Sequence, residues 1–107
     1  MSKLAKREGP DSVAPVTIDR VRYEALHWGK ELGLDQNGGY VAAFDTSTGQ
    51  RLWTLKVYDV VYDPNREGDV QDVFITRLSE FDGKLRVANE DERQFVVDPK
   101  TKSISEL

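Results

Sequence analysis

YVAAFDTSTGQRLWTLKVYDVVY, residues 40–62, is the stretch whose reading decides the fold. Tyr40–Phe44 is a short apolar run with a turn signal directly behind it. In Asp45-Thr46-Ser47-Thr48-Gly49 the Asp side chain can bond its own backbone two residues on, and Gly49 can take the left-handed conformation that closes a hairpin. Arg51–Tyr62 then returns as a second, long strand. Strand, tight turn, strand is the unit of an antiparallel sheet.

The same unit repeats outward. Asn37-Gly38-Gly39 is a turn before Tyr40, and Asp63–Asp69 is a polar loop containing Pro64 and Gly68. Val70–Phe81 reads as another long strand, and Asp82-Gly83 is the sharpest hairpin signal of the chain. Leu85–Ala88 and Gln94–Val97 are short strands around the charged turn Asn89–Arg93. Asp98–Lys102 turns into a last strand near Ile104. In Val16–Trp28, Val21, Tyr23 and Ala25 alternate with Arg20, Arg22 and Glu24, which predicts a half-buried strand. A helix at about residues 20–33 competes, because Val21, Ala25, Trp28 and Leu32 also fall at helical spacing before Gly33. The fold expected is all-β, an antiparallel meander of about six to seven strands forming a curled sheet or small barrel; the helix would make it α+β.

The two long strands carry apolar residues at both parities. Trp53, Leu55, Val57 and Val61 alternate with Leu52, Tyr58, Val60 and Tyr62, whereas an antiparallel sheet with one wet face should alternate apolar with polar. A small chain has trouble burying two such faces alone, which predicts a homodimer.

Ala43-Phe44-Asp45-Thr46-Ser47-Thr48-Gly49-Gln50-Arg51-Leu52-Trp53 fits the pattern A-x-D-x-x-T-G-x-x-x-W at Ala43, Asp45, Thr48, Gly49 and Trp53. This run resembles the tryptophan-docking motif of quinoprotein-type β-propeller repeats. The resemblance implies that Asp45, Thr48 and Gly49 build a hairpin and that Trp53 anchors it against a neighbouring sheet. An echo lies 53 residues on, where Asp98 and Thr101 persist but Lys102 replaces the Gly and Glu106 the Trp. A propeller needs several blades around an axis, and this chain has at most two blade-lengths, so no propeller cofactor is expected.

Composition removes most chemistry. The chain of 107 residues has no Cys and one His, so a disulfide framework, a thiol nucleophile and a multi-histidine metal site are excluded within one copy. Its net charge is −4, divided between a +1 tail (residues 1–15) and a −5 remainder, and this argues against nucleic acid. No apolar run approaches the roughly 18 residues of a membrane span and no secretory signal is visible, so a cytoplasmic protein without membrane contact is expected. The tail reads as disordered and residues 16–107 as a single β domain.

Three candidate sites remain. Asp63, Asn65, Glu67 and Asp69, with Gly68, look like the first half of a calcium loop, since hard cations need clustered oxygens. Pro64 and Phe74 depart from that pattern, the latter where a bidentate Glu is required. His27, beside Trp28, offers an acid–base group for a ligand pocket. Tyr58, Tyr62, Trp28 and Tyr40 are candidates for an interaction surface, with the acidic loops steering a basic partner. The function expected is a small non-catalytic protein-interaction module; a ligand binder or enzyme at His27 and Trp28, and a weak calcium module at residues 63–72, are the alternatives.

Overall fold

The computed structural model describes residues 10–62, 64–65 and 71–107. The strands are β1 (Val16–Ile18), β2 (Val21–Leu26), β3 (Tyr40–Asp45), β4 (Arg51–Lys56), β5 (Ile75–Phe81), β6 (Lys84–Asn89), β7 (Gln94–Val97) and β8 (Ile104–Glu106). They form two four-stranded antiparallel meanders, β1-β2-β3-β4 and β5-β6-β7-β8, and neither closes into a barrel. The all-β class and the meander are as the sequence predicts. The division into two sheets of four is not legible there.

Three boundaries differ, each for a physical reason. The single strand expected over Val16–Trp28 is a hairpin, because Asp19 and Arg20 both take left-handed conformations (φ 51° and 67°) and turn the chain back on itself. The competing helix is absent among the described residues. Its region holds β2 and one 3-10 turn, Gly29–Leu32, which ends on Gly33 at φ 86°. The strand expected over Arg51–Tyr62 stops at Lys56, and the one expected over Val70–Phe81 begins at Ile75.

These shortened strands explain the doubly apolar pattern. Val57 and Tyr58 are buried after the chain has left the ladder, and Phe74 is buried before it enters β5. Leu52 is the extra residue of a β-bulge where Ala43 pairs with Trp53 and Phe44 with Arg51. Val57, Tyr58 and Phe74 thus reach the interior from irregular backbone, while Leu52, Val61 and Phe81 stay exposed.

That interior lies between the sheets. Tyr23, Val41 and Ala43 of the first sheet join Leu78, Leu85, Val87, Phe95 and Val97 of the second in one cluster, with Trp53 and Leu55 packed against it. β5 touches β1 and β2, while the Lys102 amine lies 5.4 Å from the centre of the Trp53 ring on β4. The first strand of the second meander thus lies against the first two strands of the other, and the turn before β8 reaches Trp53 on β4.

The β3–β4 and β7–β8 hairpins share one hydrogen-bond scheme, shifted by 53 residues. Asp45 N–H donates to the Gln50 carbonyl (2.9 Å) and Asp98 N–H to that of Ser103 (3.0 Å). Gly49 N–H donates to Asp45 and Lys102 N–H to Asp98, both at 2.7 Å. Ser47 N–H meets the Asp45 carboxylate at 2.8 Å and Lys100 N–H that of Asp98 at 2.9 Å. Gln50 N–H meets the Thr48 hydroxyl at 3.1 Å and Ser103 N–H that of Thr101 at 3.2 Å. Lys102 adopts φ 62° where Gly49 adopts 76°, so the echo keeps the turn although it lost the glycine.

Candidate functional site

The two ends of the stack differ. One end carries the tight turns at Asp19-Arg20, Asp45–Gln50, Asp82-Gly83 and Asp98–Ser103. The other carries the long connection from β2 to β3, the described parts of the passage from β4 to β5, and the Glu90–Arg93 turn. Loops positioned by a rigid scaffold are where binding residues concentrate. Among the described residues the buried polar side chains Gln36, Asp72 and Asn89 all lie at this loop end.

Gln36 is the knot. Its amide nitrogen donates to the carbonyls of Gly38 and Tyr58, both at 2.8 Å, and its amide oxygen accepts from Val60 N–H at 2.9 Å. These bonds tie the β2–β3 connection to the segment leaving β4. The chain comes so close that a Cβ on Gly39 (φ 91°) would lie 2.7 Å from Gln36 Nε2 and 2.9 Å from the Tyr58 carbonyl. Asn37-Gly38-Gly39 is thus a turn, as the sequence predicts, and also a site of close backbone approach.

Asp72 fastens the incoming strand. Its carboxylate accepts from the Tyr62 hydroxyl at 2.5 Å and from Asn37 Nδ2 at 3.0 Å. Burial and then the Asp72 carboxylate push the Tyr62 phenol up to about 12. The Lys30 ammonium sits 4.3 Å from the centre of the Tyr62 ring, a cation–π contact that holds the 3-10 turn against it. On the sheet's flank, Lys56 bridges Asp35 (2.7 Å) and Asp59 (2.9 Å), and Asp35 also accepts from the Tyr40 hydroxyl. The Lys56 and Tyr40 donors hold the Asp35 carboxyl below its usual range.

Tyr40 and Tyr58 are each only 6% exposed, so these two interaction candidates belong to the packed interior. Tyr58 stacks on Phe95 at 5.3 Å and gives its hydroxyl to the Val73 carbonyl at 2.8 Å. Tyr62 is partly covered, and Trp28 is 44% exposed with its ring edge on Phe74. His27 packs on Phe74 at 5.5 Å, and its buried Nδ1 has no hydrogen-bond partner. Burial lowers its pKa, opposed by the Asp11 carbonyl and the Glu90 charge. A cleft of about 230 Å³ opens between the sheets at the tight-turn end, and one of about 220 Å³ on the outer face of the second sheet. His27 lines neither, so its imidazole is not placed for acid–base work there.

Of the calcium candidates, Asp63, Glu67 and Asp69 lie outside the described residues, and Asn65 is exposed. Among the described residues no three His, Asp or Glu side chains gather to hold a metal. Ala43, Asp45, Thr48, Gly49 and Trp53 build the β3–β4 hairpin and its anchor, with the Trp53 ring 5.8 Å from that of Tyr23. Sequence reading missed Gln36 and Asn37 as organisers, and placed Asp72 only at the end of the calcium candidate of residues 63–72. Their one signal is position, immediately before two glycines and before a buried strand. Among the described residues no helix is long and apolar enough to cross a membrane. No family model matches the chain, and neither a curated protein nor a solved structure matches it.

Proposed function

We propose that this chain is a non-catalytic, cytoplasmic interaction module that offers its loop end to a protein partner. The observation that carries this reading is the exposure of three large apolar residues there: Trp28 at 44%, Leu32 at 58% and Val61 at 89%. Trp28 precedes the 3-10 turn and Leu32 ends it, and Val61 adjoins Tyr62, which Lys30 of that turn covers. Solvent-facing Trp on a rigid mount is a frequent binding anchor, because it adds area at little cost in side-chain freedom. Gln36 and Asp72 supply the mount.

The propeller resemblance enters as architecture. Two stacked four-stranded meanders with matching outer hairpins are what two adjacent blades would look like. The face of the second sheet that corresponds to the packing face of the first bears Arg77, Ser79, Arg86 and Gln94. A polar face there ends the stack, as capping repeats do in repeat proteins.

The test is chemical cross-linking in the native host, comparing the wild-type chain with a Trp28→Asp/Leu32→Asp variant whose thermal melting is unchanged. The proposal expects partners that cross-link to the wild type and are lost in the variant. An identical set of cross-linked proteins from both would refute it.

A further inference from the structure

The outer face of the second sheet has a charge pattern that the outer face of the first does not share. By the register and alternation of β5–β8, its outward positions are Arg77, Ser79, Phe81, Lys84, Arg86, Ala88, Gln94, Val96 and Ser105. They include three cations and no carboxylate, in a chain with 19 acidic residues and a net charge of −4. On the outer face of the first sheet, by contrast, Arg22 is bonded to Glu24 and Lys56 to Asp35 and Asp59.

Arg77 stands opposite Ala88, and Arg86 opposite Ser79, so the two guanidinium groups are diagonal neighbours on adjacent strands. Such positions lie about 7–8 Å apart, and like charges there repel. Ala88 leaves the floor between them low, and the result is a groove of about 220 Å³ lined by Arg77, Ser79, Arg86, Ala88 and Gln94. Gln94 Oε1 accepts from Arg86 Nε at 2.7 Å, which orients that guanidinium and leaves its terminal nitrogens free of the bond. It also leaves Gln94 only its amide N–H groups to offer. Two guanidiniums, a hydroxyl and an amide donor thus converge on one small space.

We propose that this groove binds a phosphoryl group, carried on a phosphorylated Ser or Thr side chain of a protein partner. A carboxylate has two oxygens, which one guanidinium fork saturates. A phosphoryl group has three oxygens and a charge near −2 at neutral pH, so it can take both arginines and the Ser79 hydroxyl together. The groove is smaller than the roughly 300–1,000 Å³ of pockets that enclose small molecules. It fits one phosphoryl group on a chain that runs on across the sheet, where Phe81, 50% exposed and 5.6 Å from the Arg86 guanidinium, offers apolar contact. This face belongs to different strands from the loop-end surface, so either proposal stands if the other fails.

The experiment is an NMR titration of the full-length chain with a short phosphoserine peptide. Its arms are the unphosphorylated peptide, the same peptide with Glu at that position, and inorganic phosphate. The proposal expects shifts centred on Ser79, Arg86 Nε–H and Gln94, at least tenfold weaker binding of the Glu and unphosphorylated peptides, and weaker binding of inorganic phosphate than of the phosphopeptide. Arg77→Gln and Arg86→Gln should each weaken the phosphopeptide at least tenfold with melting unchanged. Equal binding of the Glu peptide, inorganic phosphate binding as tightly as the phosphopeptide, shifts centred elsewhere, or no binding at millimolar peptide would each overturn it.

Discussion

Replacing Gln36 by Met tests whether the loop end is held by one side chain. The exchange keeps length and approximate volume and removes every hydrogen bond of the amide. Gly38 and Tyr58 each lose a donor to their carbonyls, and Val60 N–H loses its acceptor. A buried group left without its partner costs about 1–3 kcal/mol. The Gly38 and Tyr58 carbonyls are buried with Gln36 and carry the larger share, whereas the part-buried Val60 N–H can recover a water. The sum is about 3–5 kcal/mol, a large part of the roughly 5–15 kcal/mol that holds a domain together. The assay is equilibrium urea unfolding followed by circular dichroism, read as a shift of midpoint at constant slope. A loss below about 1 kcal/mol would refute the idea that Gln36 organises this end. Gln36→Glu is the discriminating control. Its protonated carboxyl keeps a donor and an acceptor, while its ionised form buries a charge, so its deficit relative to wild type should shrink on acidification.

Three further outcomes follow from particular residues. Lys102→Gly should stabilise the chain by about 0.5–1 kcal/mol, because the left-handed conformation costs a side-chain-bearing residue about 1–2 kcal/mol and glycine's extra freedom returns only part of it; a destabilised variant would show that the second hairpin does not depend on the conformation it shares with the first. All four tyrosines have phenols raised above the usual value, with burial the main cause in each. The folded chain therefore holds protons that the unfolded chain releases, and stability should fall as pH rises from about 10 toward 12; tyrosinate absorbance appearing near pH 10 with circular dichroism unchanged would contradict this. His27 behaves oppositely, since its lowered pKa means that the unfolded chain binds the proton first. Stability should drop as pH falls below about 6.5, ahead of carboxylate titration, and His27→Leu should flatten that step; the same step in the variant would rule His27 out as its source.

Local signals carried the reading of the fold. The hairpins at Asp45–Gly49, Asp82-Gly83 and Asp98–Lys102 are visible because their chemistry is intrinsic to the residues: an Asp that bonds its own backbone, and a residue that tolerates positive φ. The Asp19-Arg20 turn left a fainter trace: Asp19 tolerates the left-handed region but Arg20 does not, and the only other mark is the shift of the apolar positions from Val16 and Ile18 to Val21, Tyr23 and Ala25. The ends of β4 and β5 were hidden for a different reason. Val57, Tyr58 and Phe74 are as apolar as strand residues and as deeply buried, and periodicity cannot tell burial in a ladder from burial on irregular backbone.

The candidate sites follow the same division between local and distant causes. Asp45 and Thr48 could be assigned a role from spacing alone, because their partners lie within two residues. Gln36 meets Tyr58 and Val60 across 22 and 24 residues, and Asn37 meets Asp72 across 35, so beyond the two glycines that follow them nothing near them in sequence marks them. The basic face of the second sheet is intermediate. Arg77, Lys84 and Arg86 are ordinary surface residues until register shows that their shared face carries no carboxylate. Net charge does not show this face: a chain of −4 overall can carry a basic surface where its charges are sorted by sheet face. The second sheet's inner face packs on the first sheet, so its outer face is left to solvent, and the basic character of that face is the premise of the proposed phosphoryl site.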